Sequence, residues 1–202
     1  MTKPKNGIST LRKQHLRFIA AHSHNKDIHE SSNMLSNIDK MKKMQTMFED
    51  KVTKSNVLFL DLDGTFVTYS QNKKKGLFVR PYTATFLKRL KPHFDFIVYS
   101  AAQAPHAKKV VETHFKKYVN IIYDNRYLFN GKKRYSAIKG LQKYWGIDDN
   151  INSVDINDRE KVIEISRWWR RRTDNELKKI CEKLLQMINS EDKKEEKKGR
   201  SY

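Results

Sequence analysis

Four apolar residues, Val57-Leu58-Phe59-Leu60, run straight into Asp61-Leu62-Asp63-Gly64-Thr65, and no other stretch constrains the fold as tightly. A short unbroken apolar run reads as a parallel strand buried on both faces. Open α/β sheets collect their ligands outside the carboxyl ends of such strands, so both carboxylates stand where a ligand can reach them. A buried carboxylate without a partner costs more than a domain can bear; Asp61 and Asp63 therefore need a divalent cation or a cationic ligand. Gly64 lets the chain leave the strand sharply, and Thr65 can hydrogen-bond the turn. The pattern predicts phosphoryl-transfer chemistry, although the same letters also describe an Asx-rich turn after an ordinary strand.

The surrounding pattern supports the first reading. Strands are expected over 94–99, 119–123 and 151–156, and helices over 82–90, from 106 onward, over 137–144 and over 175–188. Asn130-Gly131 is the strongest short turn signal and predicts a hairpin within 127–135. Strands alternating with helices predict an α/β domain with a mostly parallel, Rossmann-like sheet, helices on both faces and right-handed crossovers. The expected organisation is a basic helical or partly disordered extension over 1–54, the α/β domain over 55–188, and a charged disordered tail over 189–202. Two amphipathic helices fit the extension, one around Leu11, His15, Phe18 and Ile19, the other around Leu35, Ile38, Met41, Met44 and Phe48. His22, His24 and His29 lack the cysteines and tight pairing of a metal site and read as surface residues.

Composition narrows the partners. The formal charge is +19, and most of the excess lies between residues 57 and 188, which favours polyanions: a phosphorylated protein, nucleic acid or an acidic surface. Lys73-Lys74-Lys75, Lys132-Lys133-Arg134 and Arg170-Arg171-Arg172 are the clusters that carry this expectation. The single cysteine, Cys181, excludes an intramolecular disulfide and reads as a packed thiol on a helix, consistent with a nuclear or cytoplasmic setting. No apolar run is long enough for a membrane span, and no signal-peptide pattern opens the chain.

At the converging strand ends a phosphate monoester would meet Asp61 as nucleophile and Asp63 as the group that protonates the leaving oxygen and then deprotonates water. Magnesium suits the oxygen donors Asp61, the Asp63 carbonyl and Asp158. Ser100, with Thr65 beside the nucleophile, can donate to a phosphate oxygen, and Lys139 can neutralise charge on the nucleophile and the phosphoryl group.

These residues occur in the order of the four motifs of the haloacid dehalogenase superfamily. The chain resembles most its FCP/SCP (NLI-interacting-factor-like) group, phosphatases of the RNA polymerase II C-terminal domain and their relatives. Arg80-Pro81 with Phe86-Leu87 is similar to the group's R-P-G…F-L, and Ile97-Val98-Tyr99-Ser100-Ala101 to its V-V-F-T-A. Asp124-Asn125-Arg126-Tyr127 and 135–141 resemble its R-L-x-R segment and Y…K-D-L box, and Thr173-Asp174-Asn175-Glu176-Leu177 resembles the D-x-E-L opening the last helix. The resemblance covers about 55–187 and implies an aspartyl-phosphate mechanism with magnesium, with Arg80 in a supporting place. Three places depart from it. Gly64 stands where the group has Glu, and Gly140 follows Lys139 where it has Asp; for the fourth motif, usually D-D or D-N, the registers Asp155-Ile156 and Asn157-Asp158 compete, the second being preferred, with Asn157 in a supporting place that keeps hydrogen-bonding capacity but loses a charge.

Between Asp63 and Ser100 there is room for a flap but not for a separate cap domain. A site without a lid suits a large substrate that excludes water itself. A phosphoserine or phosphothreonine protein is the first expectation and a 3′-phosphorylated nucleic-acid end the second. The third is a noncatalytic binding or assembly factor on the same fold, as occurs among large DNA viruses of insects.

Overall fold

The structure is a computed structural model that describes residues 36–69 and 76–199. The helix expected near Leu11, the three N-terminal histidines and Lys73-Lys74-Lys75 lie outside these residues. The chain divides into two compact units, Met1–Lys42 and Lys43–Tyr202; of the first, residues 36–42 are helical.

In the second unit, five strands form one sheet: β1 (Asn56–Leu60), β4 (Asp95–Tyr99), β5 (Val119–Tyr123), β6 (Lys143–Asp148) and β7 (Val162–Glu164), in the order β5-β4-β1-β6-β7. Every pairing is parallel. Strands β2 (Val67–Tyr69) and β3 (Leu77–Val79) form a separate antiparallel pair and make a small flap between Asp63 and helix α2 (Thr83–Leu90). Helix α3 (Ala104–Val110) continues into a π turn, Val111–Phe115. Helix α4 is Glu176–Gly199, and α1 is the helix over 36–51.

Alternation along the strands makes two cores. Leu58, Leu60, Phe96, Val98 and Ile147 pack with Phe86, Leu87 and Leu90 of α2, Ala107 and Val110 of α3, and Leu177, Cys181 and Leu184 of α4. The opposite face is aromatic: Phe59 stacks on Tyr135 with ring centroids 4.4 Å apart, and Tyr99, Tyr123 and Tyr144 close around them. Met44, fully buried on α1, accepts the Tyr123 hydroxyl at its carbonyl. The compact unit thus takes in α1 residues upstream of position 55.

Three expectations need correction. Residues 137–144 are not a helix, and 151–156 are not a strand; the strand is β6 (Lys143–Asp148), flanked by 3₁₀ turns at Tyr135–Ala137, Ile151–Ser153 and Ile156–Lys161. The sequence Lys-Tyr-Trp-Gly-Ile-Asp hides β6, because a glycine interrupts its apolar run. Gly146 is there for packing, since a Cβ would stand 2.5 Å from the Tyr135 hydroxyl. The 189–202 segment is helical as far as Gly199, because α4 continues past its last apolar contact on residues of good helix propensity.

Candidate active site

Asp61 directly follows β1, and its N–H donates to the Ile147 carbonyl on β6, so the nucleophile candidate is pinned between two strand ends. The chain then turns at Gly64, φ +92°, where any Cβ would lie 2.5 Å from an Asp149 carboxylate oxygen. Thr65 is fully buried beneath this turn. Its hydroxyl lies 3.0 Å from both Asp61 Oδ2 and Asp149 Oδ1 and accepts the Asp149 N–H at 3.0 Å. Thr65 therefore orients two carboxylates from below and is not among the residues facing the pocket, which corrects its expected role as a phosphate ligand.

Asp148, the last residue of β6, and Asp149 after it bring a second pair of acids to the first. One carboxylate oxygen from each of Asp61, Asp148 and Asp149 lies within 4.8 Å of the others. Into this cluster reaches Lys133, itself 1% exposed, with Nζ 2.6 Å from both Asp61 Oδ1 and Asp148 Oδ2. Asp148 also accepts from the Asn150 N–H and the Ser153 hydroxyl. Lys133 owes its position to the Asn130-Gly131 turn, where both residues have positive φ and Phe129 pairs with Lys132.

The electrostatics follow from burial and charge. Burial pushes the Asp61 carboxyl above its ordinary value, opposed by Lys133 and aided by the charge of Asp149. Asp148 is raised by burial and then by Asp61, and Asp149 by burial against the Thr65 hydrogen bond. For Lys133, burial alone would lower the ammonium, but Asp61 and Asp148 outweigh it and the net shift is upward. Three clustered carboxylates face the buried Lys133, with Arg167 only at the edge of Asp149 at 3.5 Å, and so carry one negative charge more than their cations. A hard divalent cation with oxygen ligands fits this donor set, and Asp61, Asp148 and Asp149 would hold it.

These groups line a pocket of about 280 Å³ with Asp63, Ser100, Ala101, Ala102, Asn150, Ser153 and Arg167. Ser100, at the end of β4, accepts the Ala102 N–H at its hydroxyl oxygen, which leaves its proton for a ligand. Asp63 stands apart from the acidic cluster and contacts His106. Arg167, on the loop after β7, reaches Asp149 at 3.5 Å, and the Trp168 N–H from the same loop donates to the Gly64 carbonyl.

Of the expected site residues, Asp61, Asp63 and Ser100 meet at this pocket, and Lys139 and Asp158 do not. Lys139 is exposed, and only its backbone is engaged, with Gln45 of α1; Lys133 occupies the place beside Asp61. Asp158 is fully buried but holds the Ser136 N–H and hydroxyl and the Tyr144 hydroxyl, tying the 3₁₀ turns to β6. Asn157 is on the surface and bonds Asp155, so it takes no charge away from the metal cluster. Arg80 does support the site: its guanidinium donates to the Thr65 carbonyl and forks onto Asp174, with Glu176 at 3.3 Å.

Sequence reasoning misses Asp148 and Asp149 because it misplaces the strand that ends at Asp148. Adjacent acids followed by an asparagine, directly after Trp145-Gly146-Ile147, were the available signal. Lys133 was hidden in a cluster that looks like surface charge. In fact Lys133 is buried and Arg134 pairs with Asp155, so the three do not form one solvated patch.

The chain is similar to two solved structures. One is an arginine-to-alanine variant of the fission yeast RNA polymerase II CTD phosphatase Fcp1 bound to beryllium fluoride (15% identity, TM-score 0.46), covering 63% of this chain and 45% of that one. The other, described as Fcp1, an essential RNA polymerase II CTD phosphatase, has 14% identity and a TM-score of 0.45, covering 75% of this chain and 54% of that one. The chain thus spans about half the length of these proteins. No curated protein matches it. The family model for NLI interacting factor-like phosphatase matches residues 56–194, which include every residue of the pocket, and the chain belongs to that family.

Proposed function

We propose that this protein is a magnesium-dependent phosphomonoester hydrolase that acts through an aspartyl-phosphate on Asp61, with a phosphoserine or phosphothreonine protein as substrate. The observation that carries the reading is Lys133 Nζ at 2.6 Å from both Asp61 and Asp148, beside a third carboxylate on Asp149. A lone nucleophilic carboxylate repels an incoming phosphate dianion; one held against a buried cation does not.

Asp61 attacks phosphorus while Asp63 gives its proton to the leaving oxygen. Asp63, now a carboxylate, takes a proton from the water that attacks the aspartyl-phosphate, and Asp61 is released with inorganic phosphate. Ser100 donates to a nonbridging oxygen. Thr65 holds the Asp61 carboxylate in line from below. A magnesium ion bound by Asp61, Asp148 and Asp149 would neutralise phosphoryl charge.

The substrate class rests on the rim. The 36 residues between Asp63 and Ser100 include the β2 and β3 strands of the flap, α2 and all of β4, and the mouth is bordered by Arg167. A macromolecule can cover such a site itself, and the net charge favours one rich in phosphate or acid. One observation favours a second reading, a 3′-phosphorylated nucleic-acid end: Trp169 is 68% exposed with the Arg167 guanidinium 5.3 Å from its ring, an aromatic-cation pair of the kind that stacks bases. A cytoplasmic or nuclear setting accords with the free Cys181 and with the absence, among the described residues, of a helix long and apolar enough to cross a membrane.

The test is phosphate release from phosphoserine peptides and from 3′-phosphorylated oligonucleotides, with and without magnesium, alongside Asp61→Asn. Peptide turnover that needs magnesium and falls roughly 10³-fold or more in the variant is expected. Turnover of the oligonucleotide alone selects the second reading, and no turnover of either rejects the enzyme.

A further inference from the structure

Asp63 has a neighbour to which the two proton transfers assign no role. His106, in the first turn of α3, places Nε2 3.0 Å from Asp63 Oδ1 and 3.1 Å from Oδ2. Its other ring nitrogen, Nδ1, is 2.7 Å from the hydroxyl of Tyr69, the last residue of β2 in the flap, and the two rings lie 5.4 Å apart. Resting on the phosphatase reading, we infer that His106 is a positioning residue for Asp63, set by Tyr69: the imidazole fixes the acid/base carboxylate toward the leaving group, and the flap fixes the imidazole.

The geometry determines where the proton sits. Against the ionised Asp63, a neutral ring that donated from Nδ1 to Tyr69 would turn an Nε2 lone pair toward a carboxylate, which is repulsive. A neutral ring that accepts from the Tyr69 hydroxyl carries its proton on Nε2 and donates it to Asp63, and a charged ring donates from both nitrogens. While Asp63 is a carboxylate, Nε2–H faces it in each favourable state. Burial and then the Asp63 charge both raise the Tyr69 phenol, which keeps it a donor.

The need is specific to this carboxylate. Asp61 is held by Lys133 and Thr65 and, through its own N–H, by the Ile147 carbonyl, and Asp149 by Thr65. Asp63 is the more exposed acid, with its side chain 39% accessible. An acid free to rotate spends part of its time away from the leaving oxygen, and that loss falls on the step in which it transfers a proton. Tyr69 and His106 come from elements on either side of α2 in the chain, so the flap and the first turn of α3 meet only in the folded protein.

The experiment measures single-turnover leaving-group release by the full chain with magnesium, on a phosphoserine peptide and on p-nitrophenyl phosphate. Serine is a poor leaving group and needs Asp63 to protonate it; nitrophenolate does not. His106→Ala is expected to slow release from the peptide by about 10-fold to 100-fold and from p-nitrophenyl phosphate far less, with KM unchanged. His106→Gln, whose amide can place a donor near Nε2, recovers most of the rate, and Tyr69→Phe loses less than His106→Ala. An equal loss on both substrates, or a loss confined to KM, overturns the proposal. Long-range ¹H–¹⁵N correlations of the imidazole nitrogens test the contact without turnover: a proton on Nε2 that responds to Asp63→Asn is expected, and an unprotonated Nε2 overturns the proposal. If the unmutated protein releases neither leaving group, the phosphatase reading fails, and the nitrogen spectrum still decides the contact.

Discussion

Two lysines six residues apart separate the site expected from the sequence from the cluster the folded chain assembles. Lys133→Met should abolish turnover and also destabilise the protein by about 3–5 kcal/mol, because it leaves Asp61 and Asp148 buried without their cation. Lys139→Ala, on an exposed side chain, should leave both within about 0.5 kcal/mol of the parent. Thermal unfolding and phosphate release on the pair check this, and equal effects would sink the assignment. Gly64 tells a similar story. Gly64→Glu would restore the family's letter, yet here it places a side chain at φ +92° and 2.5 Å from Asp149. Expected are a loss of stability of roughly 1–3 kcal/mol and weaker magnesium binding by titration calorimetry, since Asp149 must move.

At the level of elements, two sequence motifs that look independent turn out to be one contact. Arg80, before α2, and Asp174-Asn175-Glu176, at the start of α4, meet in a buried fork whose remaining N–H groups reach the Thr65 carbonyl under the site. Arg80→Leu leaves the Asp174 carboxylate, 10% exposed, without its partner and should cost about 3–5 kcal/mol. Arg80→Lys should recover little, because a single ammonium cannot span Asp174 and Thr65 together. Urea midpoints for the two variants measure this; a lysine variant as stable as the parent would contradict it. Element placement was readable where apolar runs were clean: β1, β4, β5, α2 and the start of α4 fall where periodicity puts them. It failed at β6, where Gly146 fits under Tyr135, and one misplaced strand carried the second acidic pair with it.

For the whole molecule, the carboxylates divide into two sets with opposite dependence on pH. Asp95, Asp124 and Asp155 are held below their ordinary values: burial opposes this, but Thr53 and Lys54, Arg126, and Asn157 and Arg134 respectively outweigh it. Their stabilisation is present above the unfolded value near 3.8 and is lost as pH falls through their lower folded values. Asp61, Asp148 and Asp149 are raised, so the folded protein binds their protons more readily than the unfolded chain. Their charge opposes folding at neutral pH, and lowering the pH toward 3.8 relieves it. Without metal, Tm should therefore rise as pH falls from neutrality and decline only in stronger acid. Saturating magnesium should lift the neutral-pH Tm and flatten the rise. A metal-free Tm that falls steadily from pH 7, with no response to magnesium, would contradict both the sign and the donor set.

The sequence by itself determined the parallel sheet, the turn at Gly64, the carboxylates Asp61 and Asp63 two residues apart at a strand end, and Ser100 at the next strand end, because each depends on a local apolar run and the few residues that end it. Only the tertiary structure decided which lysine and which acids join them. Lys133, Asp148 and Asp149 reach Asp61 across 72 to 88 positions of chain through a glycine-interrupted strand and a two-residue turn, and Arg80 and His106 find their partners the same way. A short apolar run is written in neighbouring letters, whereas a charge cluster is set by which strand ends the sheet order places side by side.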